Sequence, residues 1–164
     1  MLPPDEPTAG ITCSVNGQDI RTQVPLRRSL VDWLRHDVGL TGSHVGCEHG
    51  VCGACHVRVD GQVVRGCLML AVQADGARIE TIEGAADPLT LALQDAFFRH
   101  AALQCGFCTP GMILQAAELL AANPTPSRAE VREALSGNYC RCTGYQPIVD
   151  AVMAVSADMP ARQA

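Results

Sequence analysis

The chain has 164 residues, enough for one ordinary domain or two small ones. Apolar residues make up 48% of it and aromatics only 4%, while 12 Lys and Arg stand against 17 Asp and Glu, for a net charge of −5. That balance argues against a nucleic-acid or anionic-membrane footprint, which needs clustered positive charge. Nine cysteines are the outstanding feature, an odd number at a density below that of disulfide-rich secreted scaffolds.

The start of the chain, Met1 to Gly10, mixes prolines with acids and has neither the basic nor the apolar stretch of a secretory signal. Apolar runs such as Cys67 to Val72 fall far short of the roughly 18 residues that a membrane span requires. A cytoplasmic protein without membrane contact is expected. In a reducing compartment its cysteines point to metal or catalysis before disulfides.

The first half reads as strands and turns. Ile11 to Val15 and Ile20 to Val24 flank Asn16-Gly17, a hairpin signal because both residues accept positive φ. Ser29 caps a short predicted helix with Leu30, Val31, Trp33 and Leu34 as apolar positions and Gly39 past its end. A loop rich in glycine and cysteine follows from Gly42 to Ala54. His56 to Val59 and Gln62 to Val64 form a second hairpin around Asp60-Gly61, and Arg78 to Ile82 a last strand. One helix over a small sheet predicts a compact α+β domain of about 80 residues.

The second half changes period. Leu89 to Ala102 places Leu89, Ala92, Leu93, Ala96 and Phe97 at helical spacing, and Met112 to Ala122 repeats the pattern before Asn123-Pro124. Ser127 and Glu130 form a capping box for a third helix through Leu135, and a fourth runs from Pro147 to about Ser156. The domain boundary is expected in Glu83 to Asp87, giving domains over 10–82 and 88–156, with 157–164 as a frayed tail. A weak internal repeat is also visible: each of two helical hairpins presents two cysteines at its bend, so the pair can face one four-thiolate site.

Cys47-x4-Cys52-x2-Cys55, with Cys67 eleven residues on, is the spacing of a plant-type 2Fe–2S site. A small anionic cluster needs a loop that wraps closely and aims its amides at sulfur, and Gly46, Gly50 and Gly53 supply the conformational freedom. A four-thiolate zinc site is the minor alternative, since zinc favours two short cysteine pairs. Cys105-x2-Cys108 with Cys140-x-Cys142 leaves zinc and iron–sulfur open on spacing alone. Thr109-Pro110 as cap and first turn, and Pro147 opening the last helix, bring helix N-termini to these thiolates and favour an anionic cluster.

Three runs carry a resemblance: Gly46-Cys-Glu-His-Gly-Val-Cys-Gly-Ala-Cys55, Gln104-Cys-Gly-Phe-Cys-Thr-Pro-Gly-Met112 and Gly137-Asn-Tyr-Cys-Arg-Cys-Thr-Gly-Tyr145. In this order they resemble the small iron–sulfur subunit of the xanthine oxidase family of molybdenum hydroxylases, the type also found in carbon monoxide dehydrogenase, over about residues 10 to 156. The resemblance implies a plant-ferredoxin-like β-grasp domain followed by a four-helix bundle domain, each with one 2Fe–2S cluster. It implies that Cys105, Cys108, Cys140 and Cys142 hold the cluster nearer a molybdenum pterin cofactor in a large subunit. Cys47, Cys52, Cys55 and Cys67 would hold the outer cluster. Gln104 matches the family glutamine that hydrogen-bonds the pterin, and Cys142 the ligand whose sulfur lies beside it.

The implied function is electron transfer within a molybdenum-dependent oxidoreductase. Electrons pass from the molybdenum site to FAD on a medium subunit, or to a cytochrome, in an assembly expected as a dimer of heterotrimers. His56 stands where many relatives carry Thr, and Tyr139 where Leu is common. A freestanding ferredoxin-like carrier and a zinc-stapled interaction module are the rival readings.

The remaining residues read more simply. Cys13 is a small buried hydrophobe on a strand, and Trp33 is core. Phe97 and Phe98 are helix packing, with one of them free to face a partner. His44 and His49 are solvent-facing loop residues rather than Rieske-type ligands. Asp87, Glu118 and Glu133 are solvated. The chain has no nucleophile–base pair, phosphate loop or dinucleotide fingerprint, so no substrate chemistry of its own is expected. Two oxidised clusters with their thiolates, each about −2, would bring the loaded chain to about −9.

Overall fold

The computed structural model describes residues 6–159. These fall into two compact units. One holds the residues up to Gly50 together with Cys55–Ala85; the other holds Val51–Ala54 together with the residues from Ala86 onward.

The first unit is a five-stranded sheet with one helix against it. Strands β1 (Thr8–Val15) and β2 (Gln18–Pro25) form the predicted hairpin, Asn16 and Gly17 taking φ of 51° and 79°. Strands β3 (His56–Val59) and β4 (Gln62–Arg65) form the second around Asp60 and Gly61, at 50° and 85°. Both turns have the positive φ at two successive residues that matches the twist of the strands. The last strand, β5 (Arg78–Glu80), ends two residues before the predicted Ile82 and runs parallel to β1 and antiparallel to β3, for a sheet order β2-β1-β5-β3-β4.

Helix α1 (Leu30–His36) starts at Ser29, whose hydroxyl accepts from the Asp32 amide at 3.2 Å. It packs Leu30, Trp33 and Leu34 onto Ile11, Val15, Val57 and Ile79 of the sheet. Cys13 is 4% exposed in this core, as its strand position predicts, and burial raises its thiol pKa, with Asp75 adding to the rise. The apolar run before β5 contains a short 3-10 turn, Ala71–Ala74, that the sequence does not announce. Its alanines are buried in the same core.

The second unit carries α2 (Pro88–Arg99), α3 (Thr109–Ala122), α4 (Arg128–Ala134) and α5 (Gln146–Asp158). Helix α2 packs on α3 and α5, and α4 on α3 and α5, burying Leu93, Phe97, Met112, Leu114, Leu120, Leu135 and Ile148. Asp87 is not a solvated acid: its carboxylate caps α2, accepting from the Thr90 amide at 2.9 Å and the Thr90 hydroxyl at 2.6 Å. Ser127 and Glu130 form the expected capping box on α4. Phe97 is fully buried while Phe98 is 79% exposed, because adjacent residues of a helix point in different directions.

Helix α5 runs two residues beyond Ser156, so the segment expected to fray from 157 is helical to Asp158. The end of that segment, 160–164, lies outside the described residues. No helix among the described residues is long and apolar enough to cross a membrane.

Candidate iron–sulfur sites

In the helical unit, Cys105 and Cys108 lie in the bend between α2 and α3, and Cys140 and Cys142 in the bend before α5. The fold brings these bends together. Cys142 and Cys105 have their sulfurs 3.4 Å apart, and Cys108 interacts with Cys140. The four thiols thus form two pairs, each joining one cysteine from either bend. Two irons sharing four thiolates need two sulfurs apiece, and this pairing meets that demand. Among the described residues, no group of three or more His, Cys, Asp or Glu is arranged around a single-ion position.

The electrostatics differ within the quartet. Burial raises the Cys108 thiol to about 12, and Cys140 adds to the rise. Burial also acts to raise Cys140, but hydrogen bonds from the Thr143 hydroxyl and amide, the Cys142 amide and the Cys108 side chain together outweigh it and hold the thiol below its ordinary value. Cys105 is lowered by the Phe107 amide first and then by Cys142, whereas the bond with Cys105 raises Cys142. Cys105 and Cys142 are exposed. Beside them, the Gln104 amide donates to the Cys142 carbonyl at 3.0 Å, joining the two residues the resemblance singles out.

Thr109 does not cap α3. Cys108 is the capping residue, and no side chain bonds the first turn. Thr109 Oγ1 is buried with no hydrogen-bond partner among the described residues. A buried hydroxyl left without a partner is costly. One directly after Cys108 fits a site whose sulfur acceptors would arrive with a cluster. Tyr145 caps α5 in the left-handed region, φ 68°, with no side-chain bond to the first turn, and Pro147 is the second helical residue rather than the first.

The loop quartet is divided between the units. Cys52 lies in Val51–Ala54, which groups with the helices, whereas Cys47, Cys55 and Cys67 belong to the sheet unit. In the sheet unit the Gly66 amide donates to the Cys55 carbonyl at 3.1 Å, setting the chain just before Cys67 alongside Cys55. A Cβ on Gly50 would come within 2.4 Å of Leu68, so the loop tip lies directly on the residue after Cys67. Cys55 is buried, and Cys47 and Cys67 are partly buried.

Positive φ occurs at Glu48, Gly50 and Gly53 (57°, 81° and 69°). Gly46, expected to share this conformation, is not among them. Nests of successive backbone amides, which use such left-handed residues, bind anions. The loop entrance is fixed by Arg35, which donates to the carbonyls of Thr41 (2.7 Å) and Ser43 (2.6 Å), and by Glu83, which accepts from the Gly42 amide at 2.6 Å.

His49 is exposed and its ring bonds the Cys47 carbonyl. His44 is partly buried and His56 is 2% exposed. The burial of His56 beside Cys55 is not legible from spacing; it opens β3, which lies between β5 and the edge strand β4.

In the helical unit the residues around Cys52 make specific contacts. The Tyr139 amide donates to the Cys52 carbonyl at 2.9 Å, and the Asn138 side chain to the Gly53 carbonyl at 3.5 Å. A Cβ on Gly111 would come within 2.1 Å of that same carbonyl.

Comparison with known proteins agrees with this geometry. Residues 13–84 match the 2Fe-2S iron-sulfur cluster binding domain, and residues 81–153 the [2Fe-2S] binding domain. The chain is 57% identical over 143 residues to the nicotine 6-hydroxylase small subunit of Paenarthrobacter nicotinovorans, covering 87% of each chain. It is 52% identical to the caffeine dehydrogenase subunit gamma of Pseudomonas sp. (strain CBB1), covering 89% of this chain and 90% of that one. The crystal structure of quinoline 2-oxidoreductase from Pseudomonas putida 86 contains a chain that superposes with a TM-score of 0.85 at 54% identity, covering 92% and 94%. A protein with two 2Fe–2S domains in series is the class so defined. The chain belongs to the small iron–sulfur subunits of the xanthine oxidase family of molybdenum hydroxylases.

Proposed function

We propose that the chain is the electron-transfer subunit of a molybdenum hydroxylase or dehydrogenase, linking the molybdenum site of a large subunit to FAD on a medium subunit or to another acceptor. The observation that carries this reading is the pairing of Cys105 with Cys142 and of Cys108 with Cys140, which suits a two-iron cluster. In this reading these four cysteines hold the inner cluster. Cys47, Cys52, Cys55 and Cys67 hold the outer one, in a β-grasp domain of the plant-ferredoxin kind. When bound, each 2Fe–2S cluster supplies a one-electron site.

The chain's own residues position these sites. Arg35 and Glu83 fix the entrance of the outer loop. The Tyr139 amide on the Cys52 carbonyl leaves one hydrogen bond and one peptide between Cys52 and Cys140, a short covalent and hydrogen-bonded route between the two ligand sets. Gln104, held against the Cys142 carbonyl, stands at the exposed end of the inner set, where it can meet the pterin of the large subunit. We read the rest of the assembly as a dimer of heterotrimers in the cytoplasm; the kinship with small subunits of multi-subunit enzymes supports a partnered chain.

Analysis of iron and acid-labile sulfide in the purified chain tests the reading, with four of each per chain expected. Zinc without sulfide would overturn it in favour of a stapled interaction module. Purification from the native host tests the partnership: a molybdenum-containing subunit is expected to co-elute, and a chain eluting alone would favour a freestanding carrier.

A further inference from the structure

The bend before α5 contains a hydroxyl network that ligation alone does not require. Thr143 Oγ1 lies 3.1 Å from the Cys140 sulfur, and the Thr143 amide points at the same sulfur from 3.5 Å. Distance alone leaves the direction of the hydroxyl bond open, and a third contact decides it. The Tyr145 amide donates to Thr143 Oγ1 at 3.2 Å. That contact uses a lone pair of the oxygen and leaves the hydroxyl proton for another acceptor. A cysteine sulfur bound to metal has lost its proton and can only accept. The hydroxyl therefore donates to Cys140.

Tyr145 keeps this arrangement in place. It sits at φ 68°, a conformation uncommon for a bulky residue. Its hydroxyl accepts from the Cys140 amide at 2.9 Å and donates to the Asn138 carbonyl at 3.1 Å. The Cys140 amide is thereby engaged by the tyrosine, and the Thr143 hydroxyl and amide face the Cys140 sulfur together with the Cys142 amide.

We infer that Thr143 is a positioning residue that directs both its O–H and its N–H at the Cys140 sulfur and so makes the inner cluster easier to reduce. The inference rests on reading Cys140 as an inner-cluster ligand. Reduction adds one electron and breaks no bond. The added negative charge is shared by the sulfurs, and hydrogen bonds to a charged acceptor strengthen as its charge grows.

The test is a redox titration of the loaded full-length chain in its complex, with dithionite as the electron source and electron paramagnetic resonance resolving the two clusters. Thr143→Val is expected to move the inner cluster to lower potential and leave the outer one in place, and Thr143→Ser to restore the wild-type value. An unchanged inner potential in Thr143→Val overturns the inference. So does an equal shift in the Ser and Val variants, which would make the methyl group responsible.

If Thr143→Val does not take up the inner cluster, the wild-type chain still decides. Its reduced inner cluster is expected to show a coupled proton that exchanges in D2O, and absence of any such coupling overturns the inference. A wild-type chain with a single cluster signal would instead defeat the two-cluster reading itself.

Discussion

The amide of Tyr139 donates to the carbonyl of Cys52 at 2.9 Å. One residue further on is Cys140, so a cysteine of the loop motif and a cysteine of the helical motif are separated by a peptide and a hydrogen bond. Glycines make this approach possible. The Gly53 carbonyl lies so close to Gly111 that no side chain fits between them. That carbonyl selects glycine at the third position of α3, whereas Gly53 is selected separately, by its φ of 69° and by the Gly137 carbonyl 2.8 Å from where its Cβ would stand.

Gly111→Ala puts a methyl group within 2.1 Å of the Gly53 carbonyl, and backbone on both sides must move. Overpacking of this kind costs about 1–3 kcal/mol. Thermal denaturation of the loaded chain is expected to show a lower midpoint in this variant. Gly17→Ala, in an open turn, should be affected only through its backbone φ.

Phe97 is fully buried in the helical unit, and Phe97→Ala is expected to cost about 3–5 kcal/mol through lost burial and the cavity left behind. Phe98→Ala removes a ring that is 79% exposed and should leave the stability of the isolated chain close to wild type. Chemical denaturation of the two variants side by side checks the contrast.

Cys47→Ser removes a thiolate from the loop quartet without touching the bends of the helical unit. The outer cluster signal is expected to disappear while the inner one persists, and iron to fall from four to two per chain, the content of one two-iron site. Paramagnetic resonance and iron analysis on the same sample check this. Loss of both signals in a folded chain would show that the two quartets do not act as separate sites.

Gln104→Ala deletes the donor to the Cys142 carbonyl. A hydrogen bond from Gln104 to the pterin would be worth about 1 kcal/mol, roughly fivefold in affinity. Molybdenum retention and turnover of the complex are expected to fall by about that factor with iron content unchanged. Equal retention and turnover in variant and wild type would remove Gln104 from the pterin contact.

Glu83 supplies a pH dependence. Partial burial acts to raise its pKa, but the Thr81 hydroxyl, the Gly42 amide, its own amide and nearby His44 outweigh it and hold the carboxyl below its ordinary value. A group lowered on folding stabilises the native state above its unfolded pKa, and that contribution fades as pH falls through the folded value. The midpoint of thermal unfolding is therefore expected to drop as pH falls below the ordinary carboxylate range. Glu83→Gln should show a smaller drop over the same interval, and identical profiles would assign the acid sensitivity elsewhere.

Several features were legible in the sequence because each depends on a few neighbouring residues. Asn16-Gly17 and Asp60-Gly61 specify their turns through positive φ. Ser29 and Ser127 specify helix starts through a hydroxyl three residues from its partner amide. The periodicity of 89–97 separates buried from exposed positions. Where a local signal competed with another, it misled. Thr109 before Pro110 reads as a cap, yet the helix begins at Thr109 itself and its hydroxyl turns inward. Asp87 reads as a solvated acid only until α2 is seen to start directly after it.

By itself the sequence determined the order of the elements, the two cysteine spacings and the kinship of the chain, because turn chemistry, capping and ligand spacing act over a handful of residues. The tertiary structure alone decided which sulfurs meet. Cys105 finds Cys142 across 37 positions, and Val51–Ala54 groups with the helices although the residues on either side of it belong to the sheet unit. It also decided that His56 is buried beside Cys55. Such contacts depend on how helices and strands close on one another, and packing over that distance leaves no periodic trace along the chain.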